Sequence, residues 1–434
     1  MNDFIFALLD TTERFADREA AKQARGWSIG FTRFKYDGRI IESANRDELL
    51  QMAVSTGARH CLLLSYGSFV SEVWVPHQSD NGRPDHEDTT DGNILDSLFR
   101  WTERHGLAVA GKFSESGSSL PELLFIDLQQ FPKQGVPTFD AVRVEALENT
   151  LPAHIANQII SFNPSAQNSD FLAQLDTLTA RLRKAVFVWN IESYEDIESP
   201  APGFTAPLTS LYTVAAGFKP NRILETHGFH RKTRMVIFDY SLKGLEHRRL
   251  MHQEWNGEDY PRFLRQRFGN ADRDDIHYLL WHGATPENPD WSLMEKRWQQ
   301  ELDAWGGESA FTDHWQRFRE LDIEYVHCDL LQAPEKILEC VKHEPGSLIW
   351  WSNAFLTLDS IRRYTTSQRK VIYRNWIESL AQKAPLLHLY GSDCNNLSVN
   401  GFTAQEYSGW LTEDGDDPLD ELTPKGLNRI KMRY

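Results

Sequence analysis

Cysteine is scarce: Cys61, Cys328, Cys340 and Cys394 are the only four in 434 residues. So few, so widely spaced, exclude a disulfide framework and fit no zinc-ligand spacing. With Cys328 and Cys340 in apolar surroundings, a reducing, cytoplasmic compartment is expected. Long apolar runs are missing too. None reaches the roughly 20 residues that cross a bilayer, so no membrane partner is expected. The first ten residues, Met-Asn-Asp-Phe-Ile-Phe-Ala-Leu-Leu-Asp, carry acids and no basic start, so no secretory signal is expected. Basic residues are in deficit, and the net charge of −16 argues against duplex nucleic acid or an anionic membrane surface as partner. The two densest basic stretches, His230–Arg234 and His247-Arg-Arg249, read as a turn before a strand and as a helix face. The chain has no Walker loop, nucleophile elbow, kinase signature or His-Glu-x-x-His motif. It shows no internal repeat.

What is present is apolar and aromatic: 41% hydrophobic residues and 12% aromatics, ample for globular folding. The length exceeds one ordinary core and predicts two domains, about 1–165 and 166–434. The second holds the most informative pattern. Leu211-Tyr-Thr-Val-Ala-Ala-Gly217 and Met235-Val-Ile-Phe-Asp239 are two strand-like runs separated by a helix-length stretch. Glycine lets backbone approach a ligand, and an acid about 20 residues later can accept hydrogen bonds from ribose hydroxyls. One glycine stands where such loops usually have two or three. Three more apolar runs follow, Ile323–Asp329, Ser347–Asn353 and Pro385–Gly391, each ending on a small or polar residue. In an open parallel sheet that end faces the ligand. The predicted fold is α/β: an N-terminal α/β domain plus a Rossmann-like, doubly wound domain.

Over about 205–400 these runs resemble the class I S-adenosylmethionine-dependent methyltransferases. The resemblance implies that Ala215, Gly217 and Phe218 lie beside the amino-acid part of S-adenosylmethionine. It implies that Asp239, followed by Tyr240, holds the ribose, that Asp329 with Leu330 meets the adenine amine, and that Ser352-Asn353 faces the methyl group. Methyl transfer is an in-line displacement whose chief demand is alignment. Asn353 is the candidate to orient an acceptor amine. His327 or Asp393, at other strand ends, would be the base for a hydroxyl. No metal is expected in this domain. The acceptor would be a small molecule or a peptide, and the sequence sets no oligomeric state. The 90 residues between Asp239 and Asp329 require an insertion, about 255–320, rich in tryptophan: Trp255, Trp281, Trp291, Trp298, Trp305 and Trp315. It reads either as a helical subdomain with its own aromatic core or as a wall over the binding edge. Its Asp272-Arg-Asp274-Asp275 reads as a charged turn.

In the N-terminal part, a helix over 46–56, a strand over 58–66, a helix over 94–105 and strands over 106–111 and 122–127 predict a mostly parallel sheet. The acidic stretch Val75–Gly92 reads as a cation site or as a solvated loop. This half vaguely resembles the nucleotide-binding half of a sugar transferase, although Leu64-Ser-Tyr-Gly67 stands where that family has an acidic pair. Gln158–Asp170 reads as a linker. A helix over 171–184, with Leu172, Leu175, Leu178 and Leu182 at helical spacing, then leads to a strand over Ala185–Asn190. Two other functions therefore stand beside the methyltransferase: a nucleotide-sugar glycosyltransferase working through the N-terminal domain, and a non-catalytic binding protein on a degenerate Rossmann-like sheet.

Overall fold

A computed structural model describes residues 4–35, 40–70, 94–113, 120–131, 137–156, 159–161, 176, 179–180, 182–190, 192–204, 207–268, 291–413, 418–419, 427–428 and 430. The chain forms two compact units, Met1–Leu178 with Ile361–Thr366, and Thr179–Ser360 with Ser367–Tyr434. The acidic stretch Val75–Gly92, the Asp272–Asp275 turn, Trp281 and most of the 158–178 region lie outside the described residues.

The first unit carries a five-stranded sheet in the order β2-β1-β3-β6-β5. Its strands are β1 (Phe4–Leu9), β2 (Ile40–Ser43), β3 (His60–Ser65), β5 (Val109–Phe113) and β6 (Pro121–Asp127). β1, β2 and β3 are parallel, while β6 pairs antiparallel with both β3 and β5. The expected mostly parallel sheet is thus mixed. The physical reason is the short link from Phe113 to Pro121. A parallel return needs a crossover of a dozen or more residues, whereas a short link turns the strand back on itself. A small ribbon of β4 (Ser68–Val70) and β7 (Ile159–Ser161) completes the strands of this unit. The chain start, read above only for targeting, supplies the buried strand β1 beside the sheet's centre.

The second unit is built on β8 (Ser210–Val214), β9 (Arg234–Asp239), β10 (Ile323–His327), β11 (Ser347–Trp350) and β12 (His388–Tyr390). All five are parallel, in the order β10-β9-β8-β11-β12. The chain starts in the centre, winds outward through β9 and β10, then returns to the other side of β8. The order reverses between β8 and β11. Successive residues face opposite sides, as in any strand. Leu211, Met235, Ile237, Leu348 and Trp350 enter one core; Tyr212, Val236, Phe238, Ile349 and Leu389 enter the other. The first core is covered by the helices Lys219–His227 and Leu242–Glu254 and by the insertion, the second by Glu335–Cys340, Thr366–Lys383 and Ala404–Glu413. Burial on both faces explains why β8, β9, β11 and β12 read as continuous apolar runs; β10, at the sheet's margin, is only partly covered.

Between β9 and β10 the insertion forms Tyr260–Phe268, Trp291–Trp305 and Glu308–Phe318. Trp255, Trp298, Trp305 and Trp315 are all buried in one aromatic cluster. Trp255 and Trp315 have ring centroids 4.5 Å apart. The cluster also takes in Phe218, from the loop after β8, and Trp189, from the segment upstream of β8. The aromatic composition therefore builds a core, and that core grips the loop and segment beside the sheet's C-terminal edge. Among the described residues, no helix is long and apolar enough to cross a membrane.

Candidate functional site

Because all five strands of the second unit are parallel, their C-terminal ends share one edge. Gly217 follows β8, Asp239-Tyr240-Ser241 ends β9, Asp329 follows β10, Ser352-Asn353 follows β11, and Ser392-Asp393 follows β12.

The expected strand over Ala185–Asn190 is not a strand. Residues 185–188 pair with no strand and run as an extended strap across this edge. The strap follows the order of the sheet. Arg183 reaches Asp329 beyond β10, at 2.9 Å. The Ala185 carbonyl accepts from Ser241 Oγ at the end of β9, at 2.7 Å. The Phe187 carbonyl accepts from the Gly217 amide after β8, at 3.1 Å. Glu192 accepts from Trp350 Nε1 at 3.1 Å and from the Ser352 hydroxyl, both at β11. Asp196 accepts from Asn400 Nδ2 beyond β12. The apolar alternation that reads as a strand instead fills the first core with Val186, Val188 and Trp189.

Gly217 has φ +48°, and a Cβ there would lie 2.1 Å from the Asn190 amide nitrogen. Its missing side chain makes room for the strap. Asn190 Oδ1 accepts from the Phe218 and Lys219 amides, at 3.2 and 3.1 Å, and so caps the helix Lys219–His227 from outside its own sequence. Replacing Asn190 with Ala leaves those amides without that acceptor and should cost about 1–2 kcal/mol in urea unfolding. Wild-type stability in that variant would remove the capping role.

Below the strap lies a buried polar cluster. Lys219 Nζ sits 3.1 Å from Glu192 and 2.8 Å from Asp196 and donates to the Ser193 carbonyl. Lys219 is fully buried and Glu192 is 1% exposed. Burial pushes the Asp196 carboxyl above its ordinary range, against the pull of Lys219. Ser352 takes a left-handed backbone at φ +56° to place its hydroxyl on Glu192. Non-glycine residues accept such a conformation where the surroundings impose it, often at ligand sites.

Asp239 is 6% exposed. Its two oxygens accept from the Ala215 amide at 3.2 Å and the Ser241 amide at 2.8 Å. Burial nevertheless holds its carboxyl up at about 6. Tyr240 is half-buried beside Asp239, and the Arg183 guanidinium lies 5.4 Å over its ring. Arg183 also reaches Asp359 at 3.0 Å, so two carboxylates clasp it.

The edge thus gathers Ala215, Gly217, Asp239, Tyr240, Asp329 and Asn353, and separates the others. Phe218 and Leu330 turn their side chains into the two cores and present no side chain at the edge. His327 is exposed, with Nε2 3.1 Å from the Tyr240 carbonyl. It stands on β10, three strand spacings from β11, or roughly 14 Å from the Asn353 position. Asp393 is fully buried, and its Oδ1 accepts from the Asn395 and Leu397 amides at 2.7 and 2.8 Å. It closes a turn. Sequence reasoning missed Arg183, Asn190, Glu192, Asp196 and Lys219. They sit upstream of β8 or one residue past the loop, and no spacing rule ties them to the edge.

In the first unit, Tyr66 of the stretch Leu64–Gly67 donates its hydroxyl to Glu42, which also takes both nitrogens of Arg25 at 2.7 and 2.8 Å. The acidic pair of a sugar transferase is absent from that position. Among the described residues, no group of His, Cys, Asp and Glu side chains is arranged to hold a metal ion. All four cysteines are free; Cys61, Cys328 and Cys394 are buried. No family model, curated protein or solved structure matches the chain.

Proposed function

We propose that the second unit is a Rossmann-like, doubly wound domain that binds S-adenosylmethionine and transfers its methyl group to a small-molecule or peptide acceptor. The observation that carries this reading is the charge of the edge. Asp239, Asp329, Asp359, Glu192 and Asp196 stand there against three cations, Arg183, Lys219 and Arg248, the last on the Gly217 carbonyl at 2.9 Å. The N-terminus of the helix after β8, where an anionic phosphate would sit in a dinucleotide site, is closed by Asn190. An edge that is acidic and lacks a phosphate cradle suits a nucleoside carrying positive charge, as a sulfonium does, and disfavours a nucleoside diphosphate. Asp239 would hold the ribose, Tyr240 and Asp329 the base, and the β11 end with Asn353 the acceptor. The four free cysteines suit a reducing, cytoplasmic setting.

Ribose hydroxyls donate to the ionised form of Asp239. Affinity for S-adenosylhomocysteine should therefore rise with pH through about 6 in wild type. In Asp239→Asn it should stay flat and lie about 1.5–3 kcal/mol weaker at pH 8. Calorimetric titration from pH 5 to 8 measures both. Equal affinity in the two proteins would sink the ribose assignment. For stability the same group works in the opposite direction. Its folded-state value is raised, so its contribution is full below its unfolded value of about 3.9 and is lost as pH rises through about 6.

The second reading is a binding protein on a degenerate form of this sheet, and the strap favours it: the chain itself fills much of the edge. Absence of S-adenosylhomocysteine binding in wild type and in strap variants alike would select it.

A further inference from the structure

We propose that Arg183 is an internal occupant of the base position, and that a nucleoside enters by displacing this one arm of the strap. This rests on the nucleoside reading above and adds its regulation. Three contacts define the position. The guanidinium carbon sits over the Tyr240 ring, 5.4 Å from its centroid. One of its nitrogens donates to Asp329 at 2.9 Å, and the other to Asp359 at 3.0 Å. A planar cation with in-plane N–H donors and an aminopurine offer the same chemistry to such a site: a flat face for the tyrosine and an N–H edge for a carboxylate. Both cannot hold Tyr240 and Asp329 at once.

The strap is built to release this end and keep the other. Trp189, Asn190 and Glu192 are buried, with Trp189 inside the aromatic cluster and Glu192 on Lys219. Arg183 is 30% exposed on its side chain and the neighbouring Lys184 is exposed, so the Arg183 side chain can swing out while Ala185 and Val186 stay buried. Moving the arm exchanges ion pairs at a partly wet surface. Moving the remainder would open a core. Asp359 has no part in holding the nucleoside under this scheme; it is the second anchor that keeps Arg183 in place.

A site whose competent state is a minor population binds its ligand more weakly by that fraction, and removing the occupant restores the difference. Calorimetric titration of S-adenosylhomocysteine, and separately of adenosine, into wild type, Arg183→Ala and Asp359→Asn tests this. Both variants should bind both ligands more tightly, by about tenfold for an arm closed some nine-tenths of the time. Homocysteine, which has no base, should gain nothing. Equal or weaker binding of adenosine in both variants overturns the proposal while leaving the nucleoside reading intact. No binding by any of the three proteins overturns the nucleoside reading and the proposal with it. Should Arg183→Ala fail to fold, as circular dichroism would show, Asp359→Asn carries the test, because it weakens the clasp and leaves Arg183 and Asp329 in place.

Discussion

Replacing Gly217 with Ala should destabilise the second unit by about 3–5 kcal/mol. A left-handed backbone costs a residue with a Cβ roughly 1–2 kcal/mol. The added methyl would stand 2.1 Å from the Asn190 nitrogen, 2.6 Å from its side-chain oxygen and 2.6 Å from the Trp189 carbonyl carbon. Two of these atoms are backbone, so no side chain can rotate away. Overpacking of a close-packed interior costs a further 1–3 kcal/mol. The loop and the strap must separate, and the bond from the Gly217 amide to the Phe187 carbonyl and the Asn190 cap go with them. Urea unfolding followed by tryptophan fluorescence reads the loss, since Trp189 reports on the strap. A change below 1 kcal/mol would mean that the strap does not pack against the loop as described.

Lys219→Met should cost a comparable 3–5 kcal/mol, for an electrostatic reason. The substitution preserves length and apolar bulk but leaves Glu192 and Asp196 without their shared cation, and removing one partner of a buried ion pair exposes the desolvation cost of the other. Glu192 keeps its bonds to Trp350 and Ser352, and Asp196 keeps Asn400. These remaining donors are neutral and offset part of the loss. The loss should depend on pH. Burial already raises Asp196 in the wild type, with Lys219 opposing that rise. Without the lysine the folded variant takes up protons more readily, so its deficit should be largest near neutral pH and shrink as the solution is acidified. Paired unfolding curves at pH 5 and 7.5 give the comparison. A small, pH-independent loss would show that the cluster is wetter than its burial implies.

The second sheet was legible in the sequence because four of its strands, β8, β9, β11 and β12, are buried on both faces. Such strands appear as unbroken apolar runs, and the polar residue ending each run marks the edge where the sheet meets whatever lies above it. The runs ending on Asp239, Asp329 and Asn353 could therefore be placed on one edge without knowing the order of the strands. The insertion was legible as composition, since ninety residues between two adjacent strands must go somewhere, but its aromatic residues gave no direction. The first sheet was read less well. Phe4–Leu9 has the same apolar character, yet strand direction depends on link length, and the short link before Pro121 was what fixed the antiparallel pair.

The strap was illegible for a different reason. Val186, Val188 and Trp189 have the alternation of a strand, and nothing local says whether an alternating segment will pair. Pairing is decided by the availability of a neighbour with open hydrogen-bonding groups, and this segment lies across strand ends. Its side chains find partners far away in the sequence: Trp189 at Met294, Glu192 at Trp350, Arg183 at Asp359, Asp196 at Asn400. Glu192 and Asp196 went unread because the residues they meet come from other parts of the chain.

Those separations also set a schedule. The contacts spanning 158, 176 and 204 residues cannot form until the chain has reached Trp350, Asp359 and Asn400, because each ties an early residue to a late one. Long-range closures of this kind are slow, since the entropy of bringing distant parts together is spent before the contacts reward it. The strap's contacts are therefore completed only once the chain has passed β12. A chain still emerging from synthesis, with Trp350, Ser352 and Asn400 not yet made, holds Glu192 and Asp196 without the donors that complete their bonding. The strand-end edge of this unit is closed only when residues from both sides of the sheet are present, the last of them Asn400.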